Sequence, residues 1–297
     1  KKNFTLEQIA SNNFPKGVIN GVPYVMKWSD NHNIILADLN NKEMMYSKYN
    51  IKSGKNEAIK DKNYNPVARS KKADNFISEL KKEEFASKGL LFHYSPDSSK
   101  IAYISGNNLF VYDIASKKNT QLTFDGSEVV LNGYASWVYY EEILGRPSKY
   151  CAYWWSPDSK HIAFYHSDDS QVPMFPIYDP SSVKNQIRRT HYPMAGEKNP
   201  EVKIGFVSTD GGAITWANFN EKDDQYFGIP FWDADGSRFI VPWMPRVQQD
   251  LIFYSVDPTS GAKESIYKEH QNTWIEWPDQ MEFVKDGFYM VRDFSMW

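Results

Sequence analysis

Short apolar runs closed by turn residues recur along the chain, and they pair off as predicted hairpins. Leu109-Phe110-Val111-Tyr112-Asp113-Ile114 is followed by Thr120-Gln121-Leu122-Thr123, and Leu251-Ile252-Phe253-Tyr254-Ser255-Val256 by Glu264-Ser265-Ile266-Tyr267. The same template fits Ile34 to Leu39 before Met44-Met45-Tyr46. It also fits Val202 to Val207 before Ala213 to Trp216, where Asp210-Gly211-Gly212 is the turn. These segments predict antiparallel strands joined by tight corners.

A second pattern precedes the hairpins. Ser95-Pro96-Asp97-Ser98-Ser99-Lys100-Ile101-Ala102-Tyr103 returns as Ser156-Pro157-Asp158-Ser159-Lys160-His161-Ile162-Ala163-Phe164, each after an aromatic residue, Tyr94 or Trp155. A looser copy runs from Trp232 to Val241, and a shortened one lies at Phe283 to Tyr289. The mechanism is local: Pro presets φ, Asp bonds back to the backbone, and Ser or Gly tolerates the tight corner before an apolar strand. The boxes start 61 and then 77 residues apart, at 95, 156 and 233, so insertions must separate compact repeats of about 40 to 50 residues. Repeats of about four strands that protect one another's edges predict an all-β fold, a β-propeller with decorated loops. A β-sandwich is the runner-up.

Three segments depart from the strand pattern. Ala73 to Lys88 places Phe76 and Leu80 four apart amid Lys and Glu, which predicts an amphipathic helix ending near Gly89. Thr5 to Ala10 predicts a single helical turn capped by Thr5. Gln171 to Pro200 holds Pro173, Pro176, Pro180, Pro193 and Pro200, which predicts extended loops at the edge of a sheet.

Composition narrows the function classes. At 297 residues and 34.5 kDa the chain can bury a large core, and its 16% aromatic content suits pleated, half-buried surfaces. A net charge of -3 gives no basic face for nucleic acid or for anionic lipid. Cys151 is the single cysteine, so an internal disulfide and a cysteine metal cluster are excluded; its apolar surroundings predict an inert, buried thiol. Six histidines lack zinc-binding spacing, and Asp168-Asp169 and Asp223-Asp224 read as solvated turns rather than calcium ligands. No metal and no cofactor is expected, and no apolar run is long enough to span a bilayer.

The candidate chemistry lies in Trp137-Val138-Tyr139-Tyr140-Glu141-Glu142-Ile143-Leu144-Gly145-Arg146. Adjacent carboxylates behind an aromatic run can hold an ammonium group. Neighbouring strand side chains point to opposite faces, so Glu141 and Glu142 can meet one ligand only where the backbone turns or takes a short helical step. Two like charges this close also repel, so the pair is expected to hold a cation or share a proton between them.

With the boxes and the Glu pair together, the chain resembles the N-terminal propeller of the dipeptidyl peptidase IV family of serine exopeptidases. Trp137 to Glu142 resembles the family's Trp-Val-Tyr-Glu-Glu-Glu element, with Tyr140 at the first acidic position. Trp154-Trp155-Ser156-Pro157 and Val172-Pro173 match the next strands. Tyr192-Pro193-Met194-Ala195-Gly196-Glu197-Lys198-Asn199-Pro200-Glu201-Val202-Lys203 resembles Tyr-Pro-Lys-Ala-Gly-x-x-Asn-Pro-x-Val-Lys. The likeness is strongest between Leu131 and Asp210.

The resemblance implies a family propeller of eight blades, of which residues 1–297 are an incomplete N-terminal part with an open or incomplete ring. It implies that Glu141 and Glu142 receive the free α-amino group of a peptide, so that the parent enzyme releases Xaa-Pro or Xaa-Ala dipeptides. The partners implied are peptides with a free N-terminus, the chain's own C-terminal α/β-hydrolase domain and, as an option, a second copy in a homodimer. A periplasmic or extracellular location goes with them. No Gly-x-Ser-x-Gly elbow occurs, so no catalytic residue is expected in this chain and the chain alone should be inactive. The family's carbonyl-binding Arg has no counterpart in the Lys71 to Gly89 stretch. Glu276 and Trp277, in Trp274-Ile275-Glu276-Trp277, stand near the family's deeper subsites, although blade packing is the stronger reading of these aromatics. Two alternatives stay open: a prolyl tripeptidyl peptidase of the same family, and a non-enzymatic propeller that binds proteins.

Overall fold

A computed structural model describes residues 24–30, 33–40, 43–50, 52–60, 71–178, 187–278, 281–284, 287–290 and 292. The expected turn at Thr5 to Ala10 lies outside these residues. The chain divides into two compact units, Lys1–Phe76 and Ile77–Trp297. The first contains one antiparallel sheet of β1 (Tyr24–Asp30), β2 (Asn33–Asn40), β3 (Glu43–Asn50) and β4 (Asn56–Ala58), in chain order. The expected pairing of Ile34 to Leu39 with Met44 to Tyr46 is in register, Leu39 opposite Met44 and Ala37 opposite Tyr46.

Between the first sheet and the next lies helix α1 (Lys71–Leu80), followed by a 3₁₀ turn, Glu84–Ala86. This corrects the expected helix over 73–88. After Lys81 bonds Ile77 O, the donors Lys82 and Glu83 reach back only three residues, to Glu79 O and Leu80 O, and the α ladder tightens and stops.

The second unit repeats one four-stranded sheet. The first copy is β5 (Leu90–Tyr94), β6 (Lys100–Ser105), β7 (Asn108–Asp113) and β8 (Asn119–Gln121), paired in chain order. The second runs β10 (Tyr153–Trp155), β11 (His161–Asp168), β14 (Glu201–Ser208), β15 (Thr215–Trp216), with β9 (Val130–Asn132) also pairing with β11. The third runs β16 (Gln225–Phe227), β18 (Phe239–Pro245), β19 (Asp250–Val256), β20 (Lys263–His270), with β17 (Phe231–Trp232) on β18. A hairpin of β21 (Met281–Val284) and β22 (Gly287–Met290) follows. These sheets are the blades of a β-propeller.

The Ser-Pro-Asp box does in three dimensions what its residues dictate. In each copy the first residue's N–H bonds a carbonyl five residues on: Ser95 to Lys100, Ser156 to His161, Asp233 to Arg238. The corner residue is left-handed in all three, at φ 62° for Ser98, 63° for Ser159 and 76° for Gly236. Asp97 Oδ1 accepts from Ser95 Oγ at 2.7 Å and from Ser99 N at 2.9 Å, and Asp158 Oδ1 repeats both bonds with Ser156 and Lys160. Successive boxes also touch: Asp97 N donates to Ser159 Oγ at 3.1 Å, and the Gly236 corner approaches Pro157 Cδ.

Cores form between blades rather than within them. Ile104, Leu109 and Leu122 of the first blade pack with Tyr153, Ile162 and Phe164 of the second. Tyr165, Ile204 and Phe206 of the second pack with Phe227, Phe239 and Val241 of the third. Because each blade buries its face only against a neighbour, loops at the blade ends are held by two sheets at once.

The excursions that stretch the box spacing are now visible. One leaves β9 and returns at β10. The other leaves β11 and returns at β14, and contains the hairpin of β12 (Met174–Tyr178) and β13 (Ile187–His191). The second corrects the expectation of Pro-rich loops over 171–200. Pro176 is tolerated because this two-stranded hairpin has open edges where a missing N–H breaks no ladder.

Candidate functional site

The Glu pair sits on the first excursion, in a single π-helical turn, Tyr139–Ile143. Tyr140 N bonds Ser136 O, and Leu144 N then reaches five residues back to Tyr139 O at 2.7 Å. Such turns are rare and concentrate at functional positions. This is the short helical step that adjacent carboxylates need, since helical neighbours stand about 100° apart rather than on opposite faces.

Tyr139 anchors the turn. Its ring is 1% exposed, meets Tyr165 edge to face, and its hydroxyl accepts the N–H of Phe227 on the next blade at 3.1 Å. Burial pushes the Tyr139 phenol well up, so it stays neutral. The neighbouring strand position is fixed too, because Tyr165 donates its hydroxyl to Gly228 O at 2.6 Å.

Glu141 is mostly covered, its side chain 16% exposed, whereas Glu142 is exposed. Arg146 Nε donates to Glu141 Oε2 at 2.7 Å, from an arginine that is itself largely in solvent. Its guanidinium pKa is raised, chiefly by the Glu141 hydrogen bond and charge, and Glu142 adds to the effect. Arg146 is thus bonded to Glu141 directly, whereas Glu142 reaches it through charge alone.

Beside the carboxylates lies an aromatic platform. Tyr140 stacks on Tyr150 with ring centroids 3.7 Å apart, and Tyr150 on Tyr134 at 5.0 Å. Trp137 meets Tyr140 and Tyr192 edge to face, each at 6.2 Å. Tyr150 reaches its place through two successive left-handed residues, Lys149 (φ 51°) and Tyr150 (φ 71°), a conformation that is costly for bulky side chains and clusters at binding sites. From β13, Arg188 lays its guanidinium 5.2 Å over the Trp137 ring. Arg188 has no signal in the sequence; only the fold brings residue 188 to residue 137.

Trp277 and Glu276 lie elsewhere in the third blade's packing. Trp277 is half-buried against Gly228, where a Cβ would come within 2.8 Å of Trp277 Cζ3, and it joins the Ile240, Met244 and Phe253 core. Glu276 accepts the Trp274 indole N–H at 2.7 Å. Among the described residues no hydrogen bond or ring contact joins either to Glu141 or Glu142. The nearest link is through the backbone, Gly228 following the Phe227 that Tyr139 holds.

Of two other expectations, the inert thiol holds and the solvated acidic pair is corrected. The Cys151 thiol lies 3.6 Å from His93 Nδ1, but burial pushes it up to about 11, so it is no nucleophile. Asp168-Asp169 is not a solvated pair: Asp169 is 4% exposed, its Oδ1 has no hydrogen-bond partner among the described residues, and burial pushes its carboxyl up to about 7. The adjacent Asp168 stays below the usual range, because its bonds from Ser170 outweigh burial.

The family described as dipeptidyl peptidase IV (DPP IV) N-terminal region matches residues 41–295. The chain belongs to this family. A probable dipeptidyl-aminopeptidase B of Talaromyces marneffei is 34% identical over 213 residues, covering 65% of this chain and 23% of its own length. Inactive dipeptidyl peptidase 10 of Rattus norvegicus is 30% identical over 65% of this chain and 25% of its own. Human prolyl endopeptidase FAP is 28% identical over 91% of this chain and 37% of its own. The crystal structure of Porphyromonas gingivalis dipeptidyl peptidase 4 superposes with TM-score 0.63 at 22% identity, over 97% of this chain and 38% of that one. The chain thus spans about a quarter to two fifths of the length of these relatives. Among the described residues, no helix is long and apolar enough to cross a membrane.

Proposed function

We propose that this chain is the substrate-gating and N-terminal-amine-recognition domain of a serine exopeptidase that releases Xaa-Pro or Xaa-Ala dipeptides. The observation that supports this reading is the placement of Glu141 and Glu142 side by side on a π-helical turn that Tyr139 anchors to the next blade, with a guanidinium already bonded to Glu141. An α-ammonium has a pKa of roughly 7.7 to 8.0 and is largely charged at neutral pH. Each charge-assisted hydrogen bond to it contributes about 1.5 to 3 kcal/mol. In this scheme the ammonium shares Glu141 with Arg146 and takes Glu142 as its second partner. The nucleophile, oxyanion hole and general base come from a C-terminal α/β-hydrolase domain that follows the propeller, and residues 1–297 form one incomplete propeller domain. Glu276 and Trp277 line the deeper subsites, and the protein works in the periplasm or outside the cell.

A second reading is favoured by one comparison: the rat relative is named inactive, so a family propeller can exist without dipeptidyl peptidase activity. The full-length protein separates the two. Of the chromogenic Gly-Pro and Ala-Ala-Pro substrates, each free and N-acetylated, free Gly-Pro should be hydrolysed at least about tenfold faster than the other three. Cleavage of Ala-Ala-Pro in its place reassigns the domain to a tripeptidyl peptidase, and no cleavage of any substrate supports a protein-binding propeller.

A further inference from the structure

A second charged group faces the same platform from the opposite sign. The Tyr150 phenol is raised first by burial, but it also feels two charges directly: Arg188, which lowers it, and Glu141, which raises it. The Tyr150 ring is stacked on Tyr140, the residue before Glu141, and Trp137, on which Arg188 rests, meets the same Tyr140 ring edge to face. Arg188 is exposed and rests on the face of Trp137. A guanidinium stacked in this way keeps its in-plane N–H donors for a planar anion, and a carboxylate takes two of them at once. Arg146, Arg246 and Arg292 are each ion-paired to a glutamate or aspartate, whereas Arg188 makes no ion pair among the described residues.

We infer that Arg188 and Trp137, joined through the Tyr140 ring to the Glu141 turn, form a carboxylate subsite that selects peptides whose first residue is Asp or Glu. The inference rests on the reading of Glu141 and Glu142 as the ammonium site. In a peptide held there, the carboxylate nearest the ammonium is the side chain of the first residue itself, while the C-terminal carboxylate is displaced by the rest of the chain. The hairpin that carries Arg188 is an insertion between β11 and β14, so this specificity is set by a part of the chain that the blade does not need for its own sheet.

Aminoacyl pyrrolidides test this directly, since they carry an α-ammonium and a side chain but no C-terminal carboxylate and no cleavable second peptide bond. Binding of glutamyl- and glutaminyl-pyrrolidide to the full-length protein is measured by calorimetry, with the N-acetyl forms as controls. The glutamyl compound should bind about tenfold more tightly, as one charge-assisted contact requires. Arg188→Gln should abolish that preference without altering glutaminyl-pyrrolidide binding, and Arg188→Lys should restore part of it. Equal binding of the two compounds to the wild type, or a preference that survives Arg188→Gln, overturns the carboxylate subsite. Equal binding of the free and N-acetyl forms instead overturns the ammonium site on which it rests.

Discussion

The hydroxyl of Tyr139 accepts the backbone N–H of Phe227 across 88 positions of sequence, and that bond ties the acidic turn to β16 of the next blade. Tyr139→Phe leaves a buried N–H without a partner and should cost about 1 to 3 kcal/mol in urea unfolding. Because the same bond positions Glu141 and Glu142, the full-length variant should also lose affinity for free-N-terminus substrates while its activity on N-acetylated ones is unmoved. Unchanged affinity would limit Tyr139 to a packing role.

Asp169 gives the chain a pH dependence opposite in sign to that of most carboxylates. Its folded pKa, about 7, is above the unfolded value of about 3.9, so the folded state binds the extra proton. Its stabilising contribution is complete below pH about 4 and is lost as pH rises towards 7. Urea midpoints taken across that window should fall with pH by an amount that Asp169→Asn removes. If the two proteins keep parallel profiles, the carboxyl is not protonated in the folded state.

Glu269 and Arg292 form an ion pair with side chains 2% and 5% exposed, bonded at 2.8 Å and 2.9 Å from Nε and Nη2 along one guanidinium edge. Tyr267 and Gln271 occupy the remaining sites on the carboxylate. Removing one partner strands the other charge, so Glu269→Ala should destabilise by about 3 to 5 kcal/mol. Replacing both residues by Met should recover most of this in chemical denaturation, and additive losses would contradict a directly coupled pair.

Ser159 separates two effects at one corner of the repeat. Its Oγ accepts the Asp97 N–H from the preceding box, and its backbone is left-handed at φ 63°. Ser159→Ala loses the bond and keeps the strain; Ser159→Gly loses the bond and relieves the strain, as Gly236 does in the third box. The glycine variant should therefore be the more stable of the two by about 1 kcal/mol in thermal unfolding.

Much of this was legible in the sequence because the determinants are local. Turn residues and apolar runs set the boxes and hairpins, and the left-handed corner at Ser98, Ser159 and Gly236 follows from which residues tolerate it. The need for a helical step at Glu141 and Glu142 was legible for the same reason. Arg188 was not, because a cation 51 positions from Trp137 acquires its place only from an inserted hairpin. Asp169 was misread because a polar-looking Asp-Asp sequence says nothing of the β9 loop that covers it, where Asp169 N bonds Val129 O. The uneven spacing of the boxes was itself the pointer: both excursions that stretch it carry residues of the candidate site.

The central claim is that Glu141 and Glu142 together hold a peptide's α-ammonium. The most direct measurement is the ratio of kcat/KM for free and N-acetylated Gly-Pro chromogenic substrates, in the full-length protein and in its Glu141→Gln/Glu142→Gln variant. The wild type should discriminate by at least about tenfold, as one lost charge-assisted bond of about 1.5 kcal/mol requires, and the variant should show a ratio near one. A variant that folds and keeps the wild-type ratio would contradict the account.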